Sequence, residues 1–177
     1  KAGILAHRTI TELIELLSLE RLEDNLFRGQ SRDIGTKYVF GGQVLGQALS
    51  AAQATMTEPR AAHSLHAYFL RAGDIEHPIV YDVDRTRDGG SFSVRRVSAI
   101  QHGKVIFFCA ASFQEAEVGA EHQLSMPEVP RSEDIEPAPA IPPERLALLP
   151  TKVQRWLDRQ GPFEFRHVYP RDELNPP

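Results

Sequence analysis

The chain has 177 residues, 41% hydrophobic and 25% charged, an ordinary globular composition with enough material for one sizeable core. Its net charge of −4 argues against a general nucleic-acid binder, and no apolar run approaches the ~20 residues of a membrane-spanning helix. The lone cysteine, Cys109, rules out an intrachain disulfide and a Cys-x-x-Cys metal or redox pair; with no signal-peptide pattern at the start, a reducing, cytoplasmic setting is expected.

Residues 9–22 read as a helix. Thr9 and Glu12 form a capping box, and Ile10, Leu13, Ile14, Leu17 and Leu22 recur near helical spacing. A short strand follows over 25–31, anchored by Leu26 and Phe27. Residues 42–56 make a second helix, in which Val44, Ala48, Ala52 and Met56 step by four. Its polar residues, Gln43, Gln47, Ser50 and Gln53, carry no charge. Gly46 would cost about 1 kcal/mol relative to alanine in an exposed helix, so close packing against a sheet is expected there.

Four strand-like runs come next, over 64–70, 79–85, 92–101 and 105–114. Asp88-Gly89-Gly90 and His102-Gly103 read as tight turns between the last three. The last run is apolar on both faces, so it belongs in the sheet centre or at an oligomer interface, and Cys109 within it reads as a buried small hydrophobe. From Glu115 to Pro162 there are eight prolines, which reads as a linker with a short helix over 143–156. Phe163 to Val168 resumes a strand pattern and leads nowhere, so a further domain is expected beyond it. The implied architecture is α+β: a curved antiparallel sheet wrapped around the small-residue helix, its open edge calling for a partner of the same kind.

The chemistry-bearing candidates are few. Gly41-Gly42-Gln43 opens the second helix, where bare backbone N–H groups can stabilise a developing oxyanion and Gln43 or Gln47 can orient a water or hold a carbonyl. Equally, the two glycines can simply let the helix start close to the sheet. His63 and His66 flank Ser64-Leu65, and in a regular strand they point to opposite faces. A lone strand histidine is more often a hydrogen-bonded structural residue than a catalyst. His102 lies in a turn, and His7, His77, His122 and His167 have no constellation around them, so no metal site is read. Arg85, Arg87, Arg95 and Arg96 read as solvated strand faces or, alternatively, as contacts for a nucleotide-bearing substrate. No Gly-x-Ser-x-Gly elbow and no phosphate-binding loop is present.

Several ordered blocks resemble the acyl-CoA thioesterase II family: Leu-Phe-Arg-Gly-Gln-Ser at 26–31, Val-Phe-Gly-Gly-Gln-Val at 39–44, His-Ser-Leu-His-Ala-Tyr-Phe-Leu-Arg at 63–71, Ile-Val-Tyr-Asp-Val at 79–83, Asp-Gly-Gly-Ser-Phe-Ser-Val-Arg-Arg-Val at 88–97 and Ala-Ser-Phe-Gln at 111–114. The resemblance implies a hotdog fold, the first half of a double hotdog that oligomerises. It divides the chain into a hotdog domain at 1–114, a linker at 115–162 and the start of a second repeat at 163–177. It implies hydrolysis of fatty acyl-CoA to fatty acid and CoA by an activated water, with no metal or redox cofactor. The family's water-activating trio of aspartate, threonine or serine, and glutamine belongs to the second repeat and has no matching positions here. The resemblance points to His63 as a catalytic candidate, with Gly41, Gly42, Gln43 and Arg96 on the substrate. Two rivals remain: a non-catalytic structural half, and a hydratase or dehydratase, against which stands the lack of Asp or Glu between Gly42 and Thr57.

Overall fold

The computed structural model describes residues 10–34, 36–136, 142–151, 154, 162–164 and 166–169. The chain divides into two compact units, one of them Thr11–Gly119. The described residues open on α1 (Ile10–Leu17), followed by β1 (Glu20–Glu23), β2 (Leu26–Gly29), α2 (Gly41–Gln53), β3 (Ala61–Phe69), β4 (Ile79–Asp88), β5 (Phe92–Gln101) and β6 (Lys104–Gln114). All six strands join one antiparallel sheet in the order β1-β2-β4-β5-β6-β3. β3 is therefore an edge strand, although its sequence neighbours lie elsewhere in the sheet. β6, apolar on both faces, is enclosed between β5 and β3, as its pattern requires.

The sheet packs one face on α2, the hotdog arrangement. Strand alternation places Tyr81 and Val83 of β4, Val97 and Ala99 of β5, and Phe107, Cys109, Ala111 and Phe113 of β6 on that face, all buried. Val44, Ala48, Ala51 and Ala52 meet them from the helix. The three alanines are completely buried, so the helix backbone lies close to the sheet. One row across the sheet runs Phe27, Tyr81, Ala99, Phe107, Phe69. Ala99 between two aromatics keeps that row from overfilling the space under the helix. Each large buried side chain contributes about 1.5–3 kcal/mol relative to exposure.

Local chemistry explains most boundaries, and several expectations need correcting. The first helix stops at Leu17, because Asp24 and Asn25 turn the chain and residues 20–23 pair with β2. Sheet pairing here overrides a helical period that runs on to Leu22. Thr9, half of the expected capping box, lies outside the described residues. Gly46 packs against α1, not the sheet: a Cβ there would lie 2.9 Å from Leu17 Cδ2. β5 and β6 are joined through His102 and Gly103, both at positive φ (49° and 69°), the left-handed turn that matches strand twist.

Arg95 is a further correction. It is 1% exposed, on the same inward face as Val97, and not on a solvated face. Its guanidinium donates to Thr55 Oγ1 at 2.8 Å, to the Arg87 carbonyl at 3.0 Å and to Asp88 Oδ1 at 2.7 Å. A buried charge is tolerated there because it is paired and its N–H groups are engaged. Hydrogen bonds from Ser93 and Arg95 hold the Asp88 carboxyl below the usual range.

In the second unit, residues 120–131 have neither helix nor strand. A 3-10 turn (Ser132–Asp134) and α3 (Pro143–Leu146) follow. Arg166 donates to the carbonyls of Ser132 and Ile135, each at 3.0 Å. Within the expected helix over 143–156, Pro143–Leu146 form one helical turn, 147–150 interrupt it, and Thr151 and Gln154 are helical again; 152, 153, 155 and 156 lie outside the described residues. The described residues among 163–168 form no strand. No described helix is long and apolar enough to cross a membrane.

Candidate active site

The start of α2 has the features of a carbonyl-binding site. Its N-cap, Phe40, is extended (φ −66°, ψ 127°) and offers no side-chain cap. The amides of Gln43 and Val44 already bond the Phe40 carbonyl, at 3.0 and 3.3 Å. Those of Gly41 and Gly42 have no partner among the described residues. Both glycines also leave room for these rings: a Cβ on Gly41 would lie 3.0 Å from the Phe69 ring, and one on Gly42 2.5 Å from the Phe40 ring, so a side chain at either position would push an exposed ring aside. Two bare N–H groups thus sit between two aromatic rings that are each more than half exposed. The end of the edge strand β3 supplies one ring, and the hydrogen bond from Val39 N to the Gly73 carbonyl (3.0 Å) ties the approach to the helix onto the following loop.

The two glutamines separate into different roles. Gln47 is fully buried and fully engaged: Nε2 donates to the Leu16 and Gln30 carbonyls at 2.7 and 3.0 Å, and Oε1 accepts from Tyr81 Oη at 2.7 Å. It ties α2 to the last turn of α1 and to the chain just after β2. Burial raises the Tyr81 phenol above its ordinary range, so it stays a donor. Gly29 lets the backbone lie against the Gln47 amide; a Cβ would lie 2.7 Å from Oε1. Gln43, 5% exposed, donates Nε2 to the Gln30 carbonyl at 3.1 Å, while its Oε1 is a buried acceptor with no partner among the described residues. A buried orphan acceptor calls for a donor.

His63 lies elsewhere. β3 is irregular: between Ala62 and Ser64 a bulge inserts His63 into the ladder. The bulge lets His63 share the outer face with His66, contrary to the expectation for a regular strand. Its Nε2 lies 2.8 Å from Ser112 Oγ, and its ring meets Phe92 edge-on at 5.7 Å. Six residues separate it from Phe69, about 20 Å along a strand. His63 lines an open depression of about 600 Å³ with Gln53, Arg60 and Gln114, at the far end of α2. Within this chain, then, it does not join Gly41, Gly42 and Gln43. Nor does Arg96, exposed on the outer face of β5 and in register with Asp84 and Ala110. Cys109 is fully buried, and burial pushes its thiol up to about 11, which suits a structural hydrophobe rather than a nucleophile.

The reading of isolated turn histidines is overturned. His77 and His102 meet at Asp74: His77 Nδ1 and His102 Nε2 lie 2.8 and 3.0 Å from the same Asp74 Oδ2. Bonds from the Glu76 amide, His102 and His77 hold the Asp74 carboxyl below the usual range. Asp74 and His77 are three residues apart and pair locally, whereas His102 is 28 residues from Asp74 and reaches it only through the β5–β6 turn.

A small-residue helix enclosed by an antiparallel sheet, with an uncapped glycine start beside an open edge, defines a hotdog domain. The family profile described as the acyl-CoA thioesterase N-terminal domain matches residues 29–114. Acyl-CoA thioesterase 2 of Haemophilus influenzae is 44% identical over 166 residues, covering 94% of this chain and 58% of that protein. Human acyl-coenzyme A thioesterase 8 is 44% identical, with 88% of this chain and 51% of that protein covered. Among solved structures, the acyl-CoA thioesterase II TesB2 of Mycobacterium marinum is 50% identical with a TM-score of 0.63, covering 70% of this chain and 46% of that one. A hotdog protein of unknown function from Alicyclobacillus acidocaldarius, 21% identical with a TM-score of 0.62, covers 80% of this chain and 51% of that one and shares the fold. The chain belongs to the acyl-CoA thioesterase family, and spans a little over half the length of the curated relatives it matches first.

Proposed function

We propose that the chain is the N-terminal half of a double-hotdog acyl-CoA thioesterase that hydrolyses fatty acyl-CoA to fatty acid and CoA by attack of water on the thioester carbonyl. The observation that carries this reading is the pair of unpartnered amides at Gly41 and Gly42, held between Phe40 and Phe69 beside an unpaired strand edge. The two N–H groups would donate to the carbonyl oxygen as it gains negative charge, a contribution typically worth about 2.7–4 kcal/mol per donor in transition-state stabilisation. Gln43 Oε1 would accept from the attacking water. The acyl chain would run over the exposed Phe40 and Phe69 rings once a second repeat covers them.

The proton acceptor is assigned to that second repeat, because α2 has no Asp or Glu. His63 and Arg96 are not assigned to this helix start, from which the bulge and the outer face separate them. The proposed boundaries are a hotdog domain at 1–114, a linker at 115–162 and the opening of the second repeat at 163–177. Pairing along β3 would supply the second repeat, and oligomerisation would follow. A cytoplasmic setting is part of the same reading, supported by the single buried thiol.

For the chain alone a second reading follows from the same separation: a structural half that provides a pocket wall and a pairing edge. Turnover of a long-chain acyl-CoA should be followed for the purified chain beside a longer polypeptide carrying the second repeat. The longer protein is expected to hydrolyse it, and the chain alone to show little or no turnover. Full activity in the chain alone, abolished by His63→Ala, would overturn this reading and restore His63 as the base.

A further inference from the structure

The geometry points to a divalent transition-metal site formed by Asp74, His77 and His102, independent of the thioesterase reading. One ligand atom from each residue lies within 4.8 Å of the other two. The shorter approaches are His77 Nδ1 to Asp74 Oδ2 at 2.8 Å and His102 Nε2 to the same oxygen at 3.0 Å, with the imidazole rings 4.7 Å apart. A tetrahedral ion with bonds of about 2.0–2.1 Å places its ligand atoms roughly 3.3 Å apart. Small rotations of two half-exposed rings separate the three atoms to that spacing. The ion takes the place of the two imidazole protons that face the carboxylate: each ring binds through that nitrogen's lone pair as neutral imidazole, with its one proton on the other ring nitrogen.

The site is supported from below. Gln101, 5% exposed, holds the backbone of two of the three residues: its Oε1 accepts from Asp74 N at 2.8 Å, and its Nε2 donates to the carbonyls of Asp74 and His77, each at 2.9 Å. Asp74 Oδ1 accepts from Glu76 N at 2.9 Å, which fixes the carboxylate plane. Ser31 Oγ donates to the His77 carbonyl at 2.6 Å. The third residue follows Gln101 directly and sits at φ 49°, a conformation uncommon for a side-chain-bearing residue and fixed here by the β5–β6 turn. One buried amide thus sets two of the three positions and the turn that follows it sets the third, the kind of outer support that ligands of a metal site require.

Two imidazoles with one carboxylate suit zinc, copper or nickel, and not magnesium or calcium, which prefer all-oxygen sets. All three side chains are partly exposed, so the remaining coordination positions face water. The site also neighbours the approach to α2, because Gly73, next to Asp74, accepts the hydrogen bond from Val39 N.

The test is calorimetric titration of the chelator-treated 177-residue chain with zinc chloride, and separately with magnesium chloride, at pH 7.5. One zinc ion per chain and no magnesium binding are expected. His77→Gln, Asp74→Asn and His102→Asn should each weaken zinc binding by at least about tenfold, asparagine being chosen at 102 because it tolerates positive φ. His66→Gln, a surface histidine outside the cluster, should leave binding unchanged. In the unsubstituted chain, zinc should shift the imidazole NMR signals of His77 and His102 before those of other histidines, a readout that needs no variant to fold. Absence of stoichiometric zinc binding, binding indifferent to the three substitutions, or imidazole shifts confined to other histidines would each overturn the assignment.

Discussion

Replacing Tyr81 by phenylalanine removes one oxygen from the centre of the fold and tests how the helix is tied to the sheet. Tyr81 and Gln47 are both fully buried, and the 2.7 Å bond between Tyr81 Oη and Gln47 Oε1 joins β4 to α2. The amide cannot turn to find a substitute, because its Nε2 is held by two carbonyls at 2.7 and 3.0 Å and Gly29 presses against it. The substitution therefore leaves a buried acceptor without a donor, at a cost of about 1–3 kcal/mol. Lack of freedom to relax places the expected value near 2 kcal/mol. For a unit of about 110 residues that is a fall in Tm of roughly 8–10 °C. Urea unfolding followed by far-UV circular dichroism measures it, with Tyr38→Phe, at an exposed position, as the control. Gln47→Met should cost more, since it also strips the Leu16 carbonyl of its side-chain donor. A Tyr81→Phe protein within about 0.5 kcal/mol of the parent would refute the view that this bond is buried and irreplaceable.

Ala48→Leu adds three carbons at a fully buried position under the sheet and should destabilise by about 1–3 kcal/mol; unchanged urea stability would count against an enclosed helix. Limited digestion with a glutamate-specific protease should cut first at Glu115, Glu117, Glu121 or Glu128, in exposed chain without helix or strand, and early cleavage inside β5 or β6 would contradict that placement. Stability should fall at alkaline pH because the folded state holds Cys109 neutral: its thiol is raised from 9.0 to about 11, so this contribution is complete below pH 9 and is lost as pH rises toward 11. Cys109→Ala should flatten that part of the alkaline unfolding profile, and an unaltered slope would show that the thiol does not take part.

Much of the architecture was legible in residues close together in the chain. The four-residue step of Val44, Ala48 and Ala52 specified a helix with a narrow apolar face, and alternation along β4 to β6 with His102-Gly103 between the last two specified paired strands. Gly41-Gly42 was recognisable as a helix start for the same reason. Such features depend on backbone periods of 3.6 and 2 and on which residues accept positive φ, all of which are local. The tertiary structure decided what the sheet order brings together. The pairing of β3 with β6 produced the bulge that turns His63 onto the outer face, and the length of β3 separated it from Gly41. The inward face of β5 buried Arg95, which charge alone had marked as surface, and pairing of residues 20–23 with β2 across the turn at Asp24 and Asn25 cut short a helical pattern that continued to Leu22. His102 is brought to the local pair of Asp74 and His77 by the return of the chain at the β5–β6 turn, over a separation that no local period encodes.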